Sequence, residues 1–579
     1  MMELKKSFNK NYEIIFELLA LVIISILATL PFFFDRQVHV GQDDWAFHFA
    51  RIRSVLHSME QGQIAFPVNF LDFQTQGIGI NSMYPFFSLY IFIWPFLLPV
   101  TLVKKVFLCM FLINFVTSFT AWLLSREFTH KASISIFISA LYVFNNWHLI
   151  LEYQRLAVGE LLGYTFIPLV VIGLLRIWKK KRSGIIFLAL GFSLIVNSHI
   201  LSVALILVPL ILVELFRIIT RKINLNEIVN ILVSASLTAL LSLVTIYNFL
   251  NLTTSNELLF PTNGRFIKTT VSTASYISDF LNIFSPKGFA GYSATSWNIG
   301  SILLLLGVVS IIYLFFSFES RRGNIYFLSS GIIGVILTIM TTDWFKNGWE
   351  IIDKITFLSK IETIQFPGRI LTISVIFIVI SIIGMMTNIN FEQSKIVITV
   401  VSILVLFPGS YSIYKTEEQR SNILSQSAMT DGLVKPSFNN DYYSKTKLSK
   451  NQGLAPYLVT NNIIPGPIIF NRLTSTVNST EQRISVRNNK IPQYVVTPVV
   501  DYKGIKYDSY INGKKVANKR NDDYGTVAVR SSLISRSRTS QLTIRVHQLK
   551  YEYLAMTVTV CTYMASMIAL IVLKKMNND

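Results

Sequence analysis

Long apolar runs constrain this chain more than any other feature of its sequence. Runs of about 20 apolar residues recur along most of its length, and a helix of that size crosses a bilayer core of roughly 30 Å. Apolar residues make up 52% of the chain and charged residues only 15%, which is too little polar surface for a soluble protein of 579 residues. The sequence therefore predicts a polytopic α-helical membrane protein, because helices satisfy their own backbone hydrogen bonds within lipid.

Thirteen apolar segments are candidate membrane spans. They occupy residues 16–34, 84–100, 105–124, 132–147, 161–178, 185–197, 201–217, 228–250, 297–318, 324–342, 369–387, 396–413 and 553–573. Basic residues at Lys5–Lys6, Lys179–Arg182 and Lys574–Lys575 lie beside such segments, and the positive-inside rule places these clusters and both termini in the cytoplasm. An even number of crossings follows, so one of the three segments between 84 and 147 fails to span. The shortest of them, 132–147, is the expected failure.

The net charge of +20 does not indicate nucleic-acid binding. Most of the basic residues lie next to apolar segments, and no basic stripe with base-stacking aromatic residues occurs outside them. The two cysteines, Cys109 and Cys561, fall within apolar segments and imply neither a disulfide nor a zinc site. The N-terminal apolar run has no small-residue cleavage site, so it is interpreted as a retained first helix.

This topology places several polar regions outside the cytoplasm. Four are loops, at residues 35–83, 148–160, 251–296 and 343–368, and the fifth spans 414–552. In the fifth region, residues 491–502, 505–511 and 526–529 read as strands, and Asn512–Gly513 is a hairpin turn signal. We therefore expect a transmembrane domain at 1–413, an extracytoplasmic β-rich domain at 414–552, and a last transmembrane helix with a cytoplasmic tail at 553–579.

The first outer loop carries the most informative pattern. Between residues 43 and 59, apolar residues recur at intervals of three and four, as on one face of a helix: Trp45, Phe49, Ile52, Leu56 and Met59. Asp44, His48 and Arg51 share a different face. This pattern predicts an interfacial helix lying on the outer leaflet with its apolar side down. Asp43 and Asp44 stand at its N-terminus, either as a simple N-cap or as catalytic carboxylates.

Further polar residues lie at the edges of apolar segments. His148 and Glu152 have helical spacing and are interpreted as an ordinary surface pair. Arg155 and Glu160 lie at the lip of a span, where charge is costly and often functional, and they are candidates to line a cleft.

Two more candidates come from later in the chain. His199 lies between two apolar helices, where it is either satisfied by a backbone carbonyl or part of the site. Arg369 follows Pro367 at the end of a span, where it either snorkels to lipid phosphates or holds a ligand phosphate.

The order of these motifs resembles that of the GT-C superfamily of membrane glycosyltransferases. The pattern D-x-x-F-H-x-x-R-I, here residues 44–52, resembles the first loop of the bacterial membrane proteins labelled "6-pyruvoyl-tetrahydropterin synthase-related", and more distantly the YfhO-like proteins. The resemblance continues along most of the chain, at Gly62, Phe66-Pro67, Gly77-Ile-Gly79, Tyr84-Pro85, residues 155–160, Ser198-His199, residues 365–369, residues 502–506 and Ile511-Asn-Gly513.

The resemblance implies a sugar donor carried on polyprenyl phosphate and used at the outer face of a bacterial plasma membrane. It makes Asp44 the candidate base, because Asp44 stands four residues before His48, with Asp43 sharing that role or binding a divalent metal ion. The substrate-binding candidates are His48, Arg51, Arg155, Glu160, His199 and Arg369. A nucleotide cofactor is not expected.

The expected function is therefore extracytoplasmic transfer of a sugar to an envelope glycan, lipid or protein. Two alternatives from other classes remain open: a non-catalytic envelope scaffold, in which Asp44 is dispensable, and a transporter of lipid or polysaccharide. A transporter needs polar residues along a path through the bilayer midplane. The ionisable residues of this sequence gather instead at the outer ends of the segments.

Overall fold

A computed structural model describes most of the chain. The described residues are 2–34, 38–40, 44–258, 270, 273–274, 297–317, 324–355, 364–389, 402, 422–424, 443, 468–487, 491–535 and 539–576. The apolar segment expected at 396–413 therefore lies outside them except for Ser402, as do Asp43 and most of the loop 251–296.

Helices account for most of the described residues before 390. Those of eight residues or more are α1 (Met2–Thr29), α2 (Trp45–Glu60), α3 (Leu102–Arg126), α4 (Ala132–Phe144), α5 (Val158–Trp178), α6 (Ser183–Val196), α7 (Ile200–Ile219), α8 (Leu225–Leu241), α9 (Leu243–Ser255), α10 (Ser301–Phe316), α11 (Asn324–Met340), α12 (Lys346–Asp353), α13 (Leu371–Asn388) and α14 (Glu552–Met576).

Within the described ranges, six helical segments are long and apolar enough to cross a membrane, by length and composition. They are Tyr12–Thr29, Leu102–Arg126, Val158–Trp178, Ile200–Ile219, Pro367–Asn388 and Glu552–Met576. Two bent pairs raise the number to eight if each pair is one span: α4 with Asn146–Gln154, bent by 46°, and α8 with α9, bent by 75°. The chain is a multi-spanning membrane protein.

Of the three segments between 84 and 147, two depart from a straight span, and the number of crossings stays a prediction. Residues 84–100 form only short helical turns, Leu89–Phe92 and Trp94–Leu97, whereas α4 continues past a bend into a second helical stretch. Pro85 and Pro95 explain the broken helix, because proline disfavours helical conformation in the residue before it and removes a backbone donor.

Two helices form the centre of the bundle. In the spans that contain α5 and α13, 83% of the residues in the most apolar stretch are buried. In the span formed by α14 only 11% are buried, so this helix lies at the outside of the bundle. α5 packs closely on α6 because glycines line their contact. A Cβ atom added at Gly191 would lie 2.6 Å from the backbone nitrogen of Val170, too close for any side chain.

The C-terminal region is β-rich, as expected. Its strands are β3 (Ile468–Ser475), β4 (Ser479–Val486), β5 (Tyr494–Val500), β6 (Tyr507–Ile511), β7 (Lys514–Val516), β8 (Asn518–Asn521), β9 (Thr526–Arg530) and β10 (Ser540–Val546). They form antiparallel sheets of order β3-β4-β10-β6-β7 and β5-β9-β8. Three of these strands were expected, and the turn between β6 and β7 is the expected Asn512–Gly513, with φ of 51° and 78°.

The strands between Ile468 and Val546, here called the β unit, share one hydrophobic core with the first loop. Phe70 and Ile78 of the loop pack in the same cluster as Val499 and Tyr502 of the β unit. A short antiparallel pair also joins the first two strands of the chain, β1 (Val38–Val40) and β2 (Asn422–Leu424). The β unit is therefore packed against the first loop, which carries α2.

Candidate active site

Asp44 stands at the N-terminus of α2, but its side chain does not cap the helix. It makes no capping hydrogen bond, and instead its Oδ2 accepts from Nη2 of Arg155 at 2.6 Å. The Asp44 side chain is 40% exposed, whereas that of Arg155 is 2% exposed. Asp44 is thus the solvent-accessible partner of a buried arginine.

Arg155 lies where one helical segment ends and the next begins. A π-helical turn, Ile150–Gln154, precedes it, and Leu156 has a φ of 45°, which is strained for a residue with a branched side chain. Nη1 of Arg155 donates to Oε2 of Glu160 at 2.6 Å. This backbone arrangement turns the arginine toward the first turn of α5, where Glu160 lies.

Arg369 reaches the same carboxylate from a third element. It belongs to the short helical turn Pro367–Ile370 before α13, and its Nε lies 3.2 Å from Oε2 of Glu160. Its Nη1 donates to the carbonyl of Ile364 at 3.0 Å and to Oε1 of Gln365 at 2.6 Å. Gln365 has a φ of 72°, so backbone strain adjoins this arginine as it adjoins Arg155.

These contacts define the charged cluster: Asp44, Arg155, Glu160 and Arg369. Positive and negative side chains alternate along it, and Asp44 is its exposed end. Trp297 and Phe366 enclose Arg155, whose guanidinium carbon lies 5.1 and 4.9 Å from their ring centroids. The aromatic rings exclude water, which strengthens each ion pair.

A second layer lies beside the cluster and consists of His48, Arg51 and Tyr84. Arg51 is 1% exposed, and its guanidinium carbon lies 3.7 Å from the centre of the Tyr84 ring. Its Nη2 donates to the carbonyl of Pro85 at 2.7 Å, and its Nη1 contacts Nδ1 of His48 at 3.1 Å. A side chain at Gly159 would collide with the ring of Tyr84, so this layer requires the glycine before Glu160.

The electrostatics of the two layers favour an anion. Arg51, Arg155 and Arg369 supply three positive charges, and Asp44 and Glu160 supply two negative charges. Burial, reinforced by the positive charges of Arg51 and Arg155, holds the pKa of His48 well below its ordinary value of 6.5. His48 is therefore neutral, and the layers together carry an excess of one positive charge.

His199 completes the described surroundings of these layers. Its ring centroid lies 5.4 Å from that of Tyr84, and its Nδ1 pairs with the hydroxyl of Ser202 at 2.7 Å. The partner of His199 is thus a side-chain hydroxyl and not the backbone carbonyl that the sequence suggested. The structure brings together all the candidate residues that it describes, and Asp43 lies outside the described residues.

Two expectations from the sequence were wrong because burial is a tertiary property. α2 is not an interfacial helix with one solvated face, since its residues from His48 to Leu56 are all buried. His148 and Glu152 are not a surface pair either. Both are fully buried, and Oε1 of Glu152 accepts from Asn114 of α3 at 2.7 Å.

Sequence reasoning did not identify Gln365 or Phe366 as members of the site, although both lie within the motif that ends at Arg369. It also did not assign Tyr84 as the platform for Arg51. The two residues are 33 positions apart, so no local spacing could have related them.

The donor set of the site's described residues does not fit a divalent cation, and Asp43 lies outside them. No three His, Cys, Asp or Glu side chains lie close enough to hold a metal ion in the part of the chain that the structure describes. Asp44 and Glu160 are separated by the guanidinium that joins them, and Arg369 contacts the same carboxylate.

Comparison with known proteins finds only distant or partial similarity. No protein-family model matches the chain. A protein of Lactococcus lactis subsp. cremoris, described as an uncharacterized protein, is 28% identical over 235 residues, which are 39% of this chain and 36% of that protein. This chain therefore matches little more than a third of the length of that relative.

Three solved structures of an oligosaccharyltransferase from Archaeoglobus fulgidus are also similar. The apo form has a TM-score of 0.41 and 10% identity, covering 71% of this chain and 57% of that one. The complex with Zn and sulfate has a TM-score of 0.41 and 12% identity, covering 70% and 54%. The complex of this enzyme, AglB, with an inhibitory peptide and a dolichol-phosphate has a TM-score of 0.42 and 12% identity, covering 72% and 57%. Similarity at this level assigns neither an activity nor a ligand.

Proposed function

We propose that this protein is a GT-C-type glycosyltransferase that moves a sugar from a polyprenyl-phosphate carrier to a cell-envelope acceptor outside the cytoplasm. The observation that carries the proposal is the charged cluster. In it an accessible carboxylate, Asp44, contacts the buried Arg155, which Glu160 joins to Arg369. Transfer from a sugar phosphate needs both groups: a base for the acceptor and cations for the phosphate that leaves.

The phosphate side of the reaction falls to the arginines. The planar guanidinium of arginine matches two phosphate oxygens at once, which a lysine ammonium cannot do. Arg155 is the arginine that contacts the exposed carboxylate of Asp44, so a phosphate that enters from this exposed end competes with Asp44 for Nη2 of Arg155. The excess positive charge of the two layers remains to balance the incoming anion.

The base side of the reaction falls to Asp44. While Arg155 holds it, Oδ2 of the carboxylate is occupied by the hydrogen bond from Nη2. Competition by the donor phosphate releases the carboxylate next to the anomeric carbon. The acceptor hydroxyl then attacks that carbon, its proton passes to Asp44, the bond from the anomeric carbon to the phosphate oxygen breaks, and the electron pair leaves with polyprenyl phosphate.

The proposed location follows from α5. Glu160 lies in its first turn, and the basic cluster Lys179–Arg182 follows its last residue. The helical rise separates the two by about 28 Å, close to the thickness of a bilayer core. If the basic cluster is cytoplasmic, as the positive-inside rule requires, the charged cluster is at the outer surface, and both termini are cytoplasmic.

The decisive experiment uses the full-length protein in lipid nanodiscs with a panel of polyprenyl-phosphate sugars, each labelled in the sugar. Envelope fragments serve as the acceptor, and transferred label and released polyprenyl phosphate are measured together. We expect at least one donor to be consumed in step with labelling of the acceptor. If no donor of the panel binds or reacts, the enzymatic proposal fails and the envelope scaffold is favoured.

A further inference from the structure

The hydrogen bond between Arg51 and His48 fixes where the histidine carries its proton. Nη1 of Arg51 lies 3.1 Å from Nδ1 of His48. A guanidinium has five N–H donors, no acceptor, and a charge that it keeps at every physiological pH. Nδ1 must therefore be the acceptor, so the imidazole is neutral and carries its single proton on Nε2.

The surroundings of His48 support this form from every side. The charged or titratable groups that face it are Arg51 on its own helix, Arg155 before α5, Arg369 before α13, and His199 before α7. Three of them are cations, and each would repel a positive charge on the imidazole. The rings of Phe47 and Tyr84 stand nearly perpendicular to it, at 5.2 and 5.5 Å, and hold its orientation.

His199 shows that this constraint is special to His48. Its Nδ1 pairs with the hydroxyl of Ser202, which donates or accepts equally well, so either tautomer satisfies the contact. At His48 the partner is a donor only. Nε2 of His48 has no hydrogen-bond partner among the residues that the structure describes, which leaves its N–H for a ligand.

We propose that Arg51 is a positioning residue that holds His48 as a neutral Nε2–H donor, and that this N–H binds a phosphate oxygen of the polyprenyl-phosphate donor. The identity of the ligand rests on the proposed function, but the position of the proton does not. His48 is in this view neither a general base nor a general acid, because the atom that would accept a proton is already occupied by Arg51. Its contribution to binding is then independent of pH through the range where an ordinary histidine titrates.

The position of the proton is tested directly by nitrogen-15 NMR of the full-length protein in lipid bilayers, labelled at histidine. The signal of His48 is assigned by its loss in His48→Gln. We expect a neutral ring with the proton on Nε2 and no change between about pH 5 and 8. In Arg51→Met we expect the Nδ1–H form to appear as a second signal, whereas His57→Gln, a control in the partly exposed last turn of the same helix, leaves the His48 signal as it is. A charged ring or an Nδ1–H ring in the wild type overturns the proposal, whatever the fate of the variants.

The role of the N–H is tested by equilibrium binding of polyprenyl phosphate. Glutamine carries an N–H near the place of Nε2, so we expect His48→Gln to bind almost as the wild type and His48→Ala to bind at least about tenfold more weakly, equally at both ends of that pH range. If His48→Ala binds polyprenyl phosphate normally, the phosphate contact is wrong, and a loss confined to the sugar-bearing donor would place the N–H on the sugar. If the wild type binds neither ligand, it is the proposed function that fails, and the NMR result still decides the position of the proton.

Discussion

Glu160 occupies the central position of the charged cluster at the scale of single residues. Its Oε2 accepts from both Arg155 and Arg369, and its buried Oε1 has no hydrogen-bond partner among the described residues. One carboxylate thus compensates two arginines whose side chains are nearly inaccessible to solvent. Removal of any one partner leaves uncompensated charge in a medium where it is costly.

The first prediction concerns Asp44. We expect Asp44→Asn to lower the rate of sugar transfer by about 10²- to 10⁴-fold, because the amide cannot take the proton of the acceptor. The thermal midpoint should change little, since the amide oxygen of asparagine can still accept from Nη2 of Arg155, and Glu160 still compensates the charge of that arginine. Transfer and thermal unfolding are measured in the same nanodisc preparation. Glu60→Gln, at the exposed end of α2, is the matched control, and a wild-type rate in Asp44→Asn would remove Asp44 from the role of base.

The second prediction separates stability from function at Arg369. We expect Arg369→Met and Glu160→Gln each to lower the free energy of unfolding by about 3–5 kcal/mol, because each leaves a buried charge without a partner. The double variant removes one charge of each sign, so it should recover much of that loss. It should not recover donor binding, because the arginine is still missing. Denaturation and binding of polyprenyl phosphate are measured for all three, and a double variant that binds like the wild type would show that Arg369 is purely structural.

At the scale of elements, the β unit holds the first loop that leads to the site. The hydroxyl of Tyr502 accepts from the backbone nitrogen of Gly79 at 3.1 Å, and the backbone nitrogen of Val500 donates to the carbonyl of Gln76 at 2.8 Å. A short helix, Ile80–Met83, connects Gly79 to Tyr84, on which Arg51 packs. The β unit is therefore connected to the second layer through residues 79–84.

The third prediction tests this path with the removal of one oxygen atom. We expect Tyr502→Phe to leave the buried amide of Gly79 without an acceptor, at a cost of about 1–3 kcal/mol, and to weaken donor binding by loosening Tyr84. Tyr510→Phe, on the neighbouring strand β6, should change neither quantity appreciably. Stability and binding of polyprenyl phosphate are compared in the two variants. Loss of stability in Tyr502→Phe with normal donor binding would limit Tyr502 to a structural role.

At the scale of the whole molecule, the β unit and the membrane helices do not behave as independent bodies. Besides their shared hydrophobic cluster, Asn256 at the end of α9 accepts from the backbone nitrogen of Lys503 at 2.9 Å and donates to its carbonyl at 3.0 Å. Gln548, between β10 and α14, donates to the carbonyl of Ile64 in the first loop at 2.7 Å. These contacts join the strands at residues 468–546 to the first loop and the membrane helices, whereas residue 414, where the sequence suggested a boundary, lies outside the described residues.

The fourth prediction follows from this shared core. A fragment limited to residues 468–548 exposes the apolar side chains that pack on the first loop in the full chain, Tyr502 and Val499 among them. We expect it to aggregate or to unfold without cooperativity, and to show no sugar transfer, when measured by size-exclusion chromatography, thermal unfolding and the labelled-donor assay. A soluble, cooperatively folding fragment would show that the shared core is dispensable, and transfer by the fragment alone would move the active site out of the membrane half.

The sequence by itself determined the elements whose signals are local. Apolar length predicts the spans, because a helix in lipid needs only its own residues to satisfy its backbone, and the Asn512–Gly513 turn predicts its hairpin because both positions need positive φ. The motifs also led to Asp44, Arg155, Glu160 and Arg369 as separate candidates.

The tertiary structure decided what these residues do together. Asp44 pairs with an arginine 111 positions away in place of capping its own helix, and α2 is buried from His48 to Leu56 because the rest of the first loop packs over it. Such pairings depend on which helices approach each other in three dimensions, and no spacing within one segment contains that information.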